Sequence, residues 1–182
     1  MFNVQSSMFN VQSSMFNKIT LRAIEPEDLD LLYRIENDVR LWNVGTSNVP
    51  YSRYVLHDYV ANVTNDIYAD RQVRMMIDNA EGQTVGIVDL VNFDPANRRA
   101  ELGIIILNEC RRQGYAEATL QQIRDYAIRV LHLHQLYVYV DECNEASKLL
   151  FIKAGYTSSG RIIDWLFDGE RYHDALLFQL LF

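Results

Sequence analysis

The segment IIILNECRRQGYA, residues 104–116, joins an apolar run to a polar loop, and Gly114 then opens a long stretch with helical spacing. Amide hydrogens at the start of a helix have no acceptor within that helix, and the helix dipole is positive there. Because glycine carries no side chain, a diphosphate group can approach this backbone closely. The segment therefore predicts a diphosphate cradle, to which Arg111 and Arg112 add two cations.

Hydrophobic periodicity predicts the elements on either side of this segment. Alternating or β-branched runs indicate strands, and apolar residues three and four positions apart indicate helices. The predicted strands are residues 18–24, 73–77, 85–93, 99–107, 136–140, 160–167 and 171–181. The predicted helices are residues 25–36, 52–66, 114–130 and 144–154. A helical crossover joins strands 99–107 and 136–140, so these two should be parallel and the others antiparallel.

The fold class that follows is α/β (α+β), with a mixed, mostly antiparallel sheet and flanking helices. We expect one domain over residues 18–182, since this length matches the usual size of a single domain. Residues 1–7 and 8–14 both read MFNVQSS, and a third copy begins at Met15. We interpret residues 1–17 as a repeated tail, an artificial or duplicated start that takes no part in the fold.

The composition favours some classes of partner and argues against others. The net charge of -7 would repel a nucleic acid backbone, but it favours a cationic substrate such as an amine. No stretch approaches the roughly 20 apolar residues that span a bilayer, and the start lacks a secretory signal. Cys110 and Cys143 form no CxxC pattern, which argues against a disulfide scaffold and a cysteine-ligated zinc site. His132 and His134 have no evident further ligands. We therefore expect a cytoplasmic protein with no metal, nucleic acid or membrane partner.

The loop of residues 111–116 indicates which class of phosphate-binding protein the chain belongs to. The chain has no GK(S/T) sequence for a Walker loop and no GxGxxG after its first strand, which argues against both nucleotide folds. RRQGYA instead resembles the (Q/R)-x-x-G-x-(G/A) acetyl-CoA loop of the GNAT (general N-acetyltransferase) superfamily, which also lies between a strand and a long helix. The flanking sequences RRAELGIII at 98–106, LYVYV at 136–140 and NEAS at 144–147 extend the resemblance, which runs from about residue 19 to 181. Within the superfamily the chain is similar to bacterial spermidine N-acetyltransferases and ribosomal-protein acetyltransferases.

This resemblance implies that the two parallel strands splay apart and that the pantetheine arm of acetyl-CoA, the cosubstrate, lies in the gap. Backbone groups of the strand before the loop would pair with the amides of the arm, and backbone amides of the loop would bind the diphosphate. Asn144 would touch the arm from the far strand. The expected cofactor-binding residues are Ile104, Ile105, Ile106, Leu107, Arg111, Arg112, Gln113, Gly114, Tyr115, Ala116, Asn144 and Ser147.

Acyl transfer to an amine requires a neutral nitrogen, whereas a free primary amine is about 99.9% protonated at pH 7. A carboxylate beside the cleft can accept that proton directly or through water. Glu101, which begins the strand leading to the loop, and Asp89, on the neighbouring strand, are the candidates. The alternative is that they are solvated or pair with Arg98 and Arg99.

The spermidine enzymes place a tyrosine where it can protonate the coenzyme thiolate, and the resemblance puts Phe151 at that position. Phenylalanine has no transferable proton. Tyr156 is the candidate substitute, with Tyr139 and Tyr115 as alternatives, and each of them could instead serve only in packing.

The substrate is less defined than the cofactor. The loop that helps to recognise polyamine in the spermidine enzymes corresponds to TSNVP, residues 46–50, which carries no carboxylate. The acidic residues nearby are Glu36, Asp38, Asp58 and Asp66. Trp42 and Trp165 could line an amine pocket or belong to the core.

We therefore predict an N-acetyltransferase that acts on a primary amine, such as a polyamine or another small amine. A protein N-terminal or lysine acetyltransferase acting on peptide amines is the first alternative. A non-catalytic acyl-CoA-binding sensor domain is the second. Relatives often form dimers or rings, so we expect a homo-oligomer, with strand 171–181 as a possible edge for assembly.

Overall fold

The computed structural model describes residues 19–39, 49–64 and 66–182. The tail predicted at 1–17, Trp42 and residues 46–48 of the TSNVP loop lie outside these ranges. Among the described residues no helix is both long and apolar enough to cross a bilayer.

The strands and helices follow the predicted order closely. The strands are β1 (Ile19–Ala23), β2 (Val73–Asn79), β3 (Thr84–Asp94), β4 (Arg99–Ile106), β5 (Gln135–Asp141), β6 (Thr157–Phe167) and β7 (Tyr172–Leu181). The helices are α1 (Leu29–Glu36), α2 (Arg53–Asn62), α3 (Ile67–Asp70), α4 (Tyr115–Arg129) and α5 (Glu145–Lys153), with 3-10 turns at Pro26–Asp28 and Asn108–Cys110.

Helix α2 ends earlier than the sequence pattern predicts, and the chain then forms the unpredicted short helix α3. The side chain of Asp66 caps α3 by accepting a hydrogen bond from the Tyr68 amide at 2.9 Å. Aspartate at this position favours a new helix start over continuation of the previous one.

The strands form one sheet in the order β1-β2-β3-β4-β5-β7-β6. Strands β4 and β5 are parallel and the other neighbours are antiparallel, so the predicted fold class and strand directions are confirmed. The expectation that the final strand forms a sheet edge is wrong, because β7 pairs with β5 on one side and β6 on the other. The edge strand at this end is β6.

Side chains on the two faces of the sheet pack in two separate cores. The first core joins the sheet to α4 and α5, with Leu102, Ile123 and Phe151 among its buried members. The second core joins it to α1 and α2 and includes Leu32 and Ile87. Successive strand residues point to opposite faces, so the neighbours of first-core residues on β4 face the side of the second core.

An ion network fixes the first helical turn to the sheet. The Arg22 guanidinium contacts Asp28 at 2.7 Å and Asp78 at 2.6 Å, and the Asp28 side chain is only 8% exposed. Burial by itself would raise the pKa of Asp28, but hydrogen bonds from Arg22 and from the Glu25 amide hold it below its ordinary value.

Asp28→Asn is therefore expected to lower the free energy of unfolding by about 2–3 kcal/mol at pH 7, because it leaves Arg22 partly unpaired. A carboxylate with a depressed pKa stabilises the fold above its unfolded pKa, and this contribution is lost as the pH falls through the folded value. The difference between the two proteins in urea unfolding should shrink below about pH 4. Asp30→Asn, which alters an exposed pair with Arg53, should change stability by less than about 1 kcal/mol. Equal losses for both variants would contradict this account.

Candidate active site

The parallel strands separate and leave a fork in the sheet. Their pairing covers Arg99–Glu101 of β4 and Gln135–Tyr137 of β5 and stops there. Beyond that point β4 continues beside β3 as far as Ile106, and β5 continues beside β7 as far as Asp141. The pairing of β4 with β5 therefore leaves their inner edges apart beyond Glu101, and residues 104–107, predicted to contact the pantetheine arm, lie along and just after this part of β4.

The loop after β4 presents backbone amides at the start of α4. Gly114 is the N-cap in a left-handed conformation with φ 82°, and the helical residue Tyr115 follows it. A left-handed residue followed by a right-handed one turns successive amides toward a common point, which forms an anion-binding nest. The first α4 amide bonded to a carbonyl at the helix start is that of Ala118, which donates to Gly114 at 3.1 Å. The amides of Ala116 and Glu117 precede it, so they lie in the first turn of α4, at the positive end of the helix dipole.

Two arginines and one ion pair lie around this nest. Arg111 and Arg112 are exposed, and Nε of Arg111 donates to the Ile106 carbonyl at 3.1 Å. Glu117, in the first turn of α4, is paired with Lys153 of α5 at 2.8 Å. This pair offsets the one carboxylate that lies in the first turn of the helix.

The first turn of α5 lies on the other side of the fork. Asn144 caps this helix, since its Oδ1 accepts a hydrogen bond from the Ser147 amide at 3.0 Å. Phe151 lies one turn beyond Ser147 on the same side of the helix. Its ring is 3% exposed and meets the Tyr156 ring edge-on, with 5.2 Å between ring centroids.

Glu101 lies where β4 and β5 separate. It is the last β4 residue paired with β5, and its partner is Tyr137. Its Oε2 accepts a hydrogen bond from Asn92 Nδ2 at 2.8 Å. Asn92 has φ 50° within a bulge of β3, a conformation that asparagine tolerates better than most residues. Burial and then the charge of Glu101 raise the pKa of Tyr137, so its hydroxyl stays protonated at neutral pH.

Asp89 faces the same side of the sheet but is bound to an arginine. Arg74 Nε and Nη2 donate to the two carboxylate oxygens of Asp89 at 2.7 and 2.9 Å, and Nη1 of the same arginine contacts Glu36. Burial alone would lower the pKa of Arg74, but the two carboxylates hold it above its ordinary value. Arg74 occupies both carboxylate oxygens of Asp89, whereas Glu101 is bound through one oxygen to a neutral amide, so Glu101 is the better placed of the two to contact an amine.

Tyr156 is not brought together with Glu101 and Asp89. It is 3% exposed and belongs to the first core, whereas the two carboxylates point to the opposite face. Burial raises the pKa of Tyr156. A hydroxyl with a raised pKa is a weaker proton donor to a thiolate, and the role predicted for Tyr156 therefore gains no support from its surroundings.

A row of aromatic rings continues from Glu101 along the same face. The Tyr137 and Tyr139 rings are 5.8 Å apart, and the Tyr139 and Trp165 rings are 6.1 Å apart. Trp165 is 55% exposed, so it does not belong to the core. Aromatic faces beside carboxylates attract cations.

Sequence reasoning missed the partners that define the two carboxylates, namely Arg74, Asn92 and Tyr137. The register of the sheet brings them together, because Arg74 pairs with Asp89 across β2 and β3. Alternation within β2 could have placed Arg74 and Met76 on one face, but not beside a particular residue of β3.

The comparisons with known proteins agree with this geometry. A family model described as an acetyltransferase (GNAT) domain matches residues 18–157. The spermidine N(1)-acetyltransferase of Vibrio cholerae is 26% identical over 165 residues, covering 90% of this chain and 93% of that protein. Its counterpart in Escherichia coli K12 is 28% identical and covers 87% and 83%. A Bacillus subtilis protein named as a ribosomal N-acetyltransferase is 28% identical and covers 90% and 91%.

Solved structures resemble the chain over most of its length. The Vibrio cholerae enzyme in complex with CoA and spermine has a TM-score of 0.82 at 25% identity, covering 90% of this chain and 95% of that one. A dodecameric structure of the enzyme from the same organism has a TM-score of 0.75 at 27% identity, covering 90% and 94%. The fork, the glycine-started helix and the family match together show that the chain belongs to the acetyltransferase (GNAT) domain family and is an N-acetyltransferase whose cosubstrate is acetyl-CoA.

Proposed function

We propose that this enzyme acetylates a primary amine of a small polycation of the polyamine class, with Glu101 as the base. The observation that carries the proposal is the position of Glu101 at the opening of the fork, beside the aromatic row Tyr137, Tyr139 and Trp165. The relatives named for spermidine acetylation, and the neighbour bound to CoA and spermine, support the same substrate class.

Acetyl transfer requires a group at the fork that accepts the ammonium proton and a contact that holds this group in position. Removing a proton from an amine with a pKa near 10.4 costs about 4–5 kcal/mol at pH 7. Acetyl-CoA supplies the acetyl group as a thioester when bound. Glu101 accepts the ammonium proton, and the hydrogen bond from Asn92 holds its carboxylate at the opening of the fork. The neutral nitrogen can then attack the acyl carbon, the carbon–sulfur bond breaks, and CoA leaves as a thiolate that takes up, directly or through water, the second proton lost by the nitrogen.

The face beyond Glu101 suits the remaining charges of a polycation. The Glu36–Arg74–Asp89 network places two carboxylates beside one guanidinium on this face. The exposed indole of Trp165 offers a second site for an ammonium group. A substrate with several amines would contact both regions, whereas a monoamine would contact one.

Assembly and location belong to the same proposal. The neighbour described as dodecameric supports a homo-oligomer, and the exposed Ile163 and Phe167 on edge strand β6 offer apolar surface for it. The free thiols of Cys110 and Cys143 fit a reducing cytoplasm, and the net charge of -7 disfavours nucleic acid as a partner.

The test is a thiol assay of CoA release with spermidine, spermine, an aminoglycoside, a peptide with a free N-terminus and a lysine peptide. We expect the polyamines to give kcat/KM at least about tenfold above the others. Turnover of the peptides alone would favour the protein acetyltransferase. Stabilisation of the fold by acetyl-CoA without CoA release from any amine would favour the sensor domain.

Phe151→Tyr is expected to raise kcat by about tenfold or more, because a well-placed general acid contributes about 10²–10⁴-fold. The resemblance to the spermidine enzymes puts the new hydroxyl, on the α5 face that also carries Ser147, where it could protonate the leaving thiolate. Phe178→Tyr, at another buried phenylalanine of the first core, is the matched control and should not raise kcat. An unchanged or lower kcat for a folded Phe151→Tyr enzyme would contradict the idea that a proton donor is lacking.

A further inference from the structure

A second group of chemically active side chains lies where β5 ends and the neighbouring strand β7 begins. Asp141, Cys143 and His173 each offer one ligand atom, and these atoms lie within 4.8 Å of one another. His173 Nδ1 is 3.8 Å from Cys143 Sγ and 3.8 Å from Asp141 Oδ2. The His173 side chain is 11% exposed, whereas Cys143 is exposed to solvent. Acetyl transfer as described above uses none of these three.

The spacing is close to that of a tetrahedral transition-metal site. Zinc binds sulfur at about 2.3 Å and nitrogen or oxygen at about 2.0–2.2 Å, so tetrahedral ligand atoms stand about 3.3–3.6 Å apart. The two 3.8 Å separations from His173 Nδ1 need shifts of only a few tenths of an ångström, and Cys143 Sγ, within 4.8 Å of the Asp141 carboxylate, would approach it by rotation of the exposed cysteine side chain. The Asp141 carboxylate is already oriented, because its Oδ1 accepts a hydrogen bond from the Cys143 amide at 2.7 Å.

A fourth residue sets the tautomer of the histidine. Asp168 Oδ2 lies 2.7 Å from His173 Nε2, and the Asp168 Oδ1 atom accepts hydrogen bonds from the amides of Glu170 and Arg171. Arg171 Nε also lies 3.3 Å from Nε2. The shorter contact, with Asp168, decides which nitrogen is protonated, since an unprotonated Nε2 could not face a carboxylate at 2.7 Å without repulsion. Nε2 therefore carries a proton, and in the neutral imidazole this leaves the lone pair of Nδ1 facing Cys143 and Asp141.

A metal-bound histidine that donates its other N–H to a carboxylate is the usual arrangement around zinc. We propose that Cys143, His173 and Asp141 bind a divalent transition-metal ion of the zinc class, with Asp168 orienting the histidine, which reverses the expectation from cysteine spacing that the protein has no such site. The exposed side at Cys143 leaves room for water as a fourth ligand. A thiolate and an imidazole select zinc or cobalt over magnesium and manganese, which prefer oxygen ligands.

The position of the site links it to the end of the fork. Asp141 is the last residue of β5, and Cys143 directly precedes Asn144, the cap of α5. A bound ion would tie this connection to β7 through His173. The ion would thus hold in place the turn from which Asn144 is predicted to contact the acetyl-CoA arm.

The test uses tag-free, full-length enzyme and does not depend on turnover. Cobalt(II) titration should produce a thiolate-to-metal charge-transfer band, and calorimetry should show one zinc per chain. Cys143→Ser should remove the band and weaken zinc binding by more than about tenfold, and Asp168→Asn should weaken it by about 10- to 100-fold. Cys110→Ser and His57→Gln, at the other thiol and at an exposed histidine of α2, should leave both signals unchanged.

Alkylation of the two cysteines in one chain gives an independent control. Zinc should protect Cys143 from iodoacetamide and leave the rate at Cys110 unchanged, whereas magnesium and manganese should protect neither. Equal protection of both thiols, zinc affinity that survives Cys143→Ser, or manganese binding as tight as zinc would each overturn the proposal. None of these outcomes depends on which amine is acetylated, so the metal site can fail without affecting the proposed function.

Discussion

Gly114→Glu is expected to weaken acetyl-CoA binding by about a thousandfold. The substitution places a carboxylate at the nest that is predicted to hold the diphosphate. Two unit charges about 4 Å apart repel by about 4 kcal/mol at the effective dielectric constant of a protein surface, which corresponds to about three orders of magnitude in affinity. Calorimetric titration with acetyl-CoA measures the effect directly.

The matched control for this variant is Gly82→Glu. Gly82 lies in the turn between β2 and β3 with φ 75°, close to the 82° of Gly114, and a Cβ there meets nothing within 4 Å. Both variants therefore carry the same left-handed strain and the same added charge, and only one of them is at the nest. If Gly114→Glu binds acetyl-CoA no more weakly than Gly82→Glu, the diphosphate binds elsewhere.

Glu101→Gln is expected to lower kcat/KM at pH 7 by about a hundredfold or more, since a glutamine cannot accept the ammonium proton. The loss should shrink as the pH rises, because the neutral fraction of an amine with a pKa near 10.4 increases about a hundredfold between pH 7 and 9. Glu81→Gln, in the exposed turn between β2 and β3, is the control and should match the original enzyme throughout.

The pH profile also separates proton transfer from simple binding. If Glu101 only attracts the cation, Glu101→Gln should raise KM and leave the shape of the kcat profile unchanged. A variant that loses the same factor at pH 7 and pH 9 would therefore contradict the role of Glu101 as a base. Asp89→Asn would then be the next variant to measure, although it also disrupts the pair with Arg74.

The sequence was sufficient to predict the sheet because its signals are local, whereas the separation of the two parallel strands was expected only from the resemblance to the GNAT superfamily. Alternation in residues 99–107, Gly114 and the helical spacing after it placed a parallel pair around a crossover, and the structure has that pair. The position of β7 inside the sheet was not predictable in this way. It depends on β7 pairing with β5 as well as with β6, so the apolar pattern of the last strand reflects a neighbouring strand on each side and not an edge.

The candidate site was predicted in part, for the same physical reason. Backbone sites such as the nest at Gly114 follow from the chain itself, whereas the surroundings of Glu101 and Asp89 follow from strand register. Tyr156 shows what sequence position alone cannot predict. It was a candidate because it lies close to Phe151 along the chain, but its ring is buried in the first core, away from the carboxylates. Asp141, Cys143 and His173 meet only because β5 and β7 pair, with Asp141 opposite Ala175.

A crystal structure of the enzyme with acetyl-CoA tests the account at its base. The diphosphate oxygens should lie within hydrogen-bond distance, about 2.7–3.2 Å, of the amides of Gly114 and Ala116, with the pantetheine arm between β4 and Asn144. A complex in which those amides face solvent or protein while the ligand occupies another surface would contradict it.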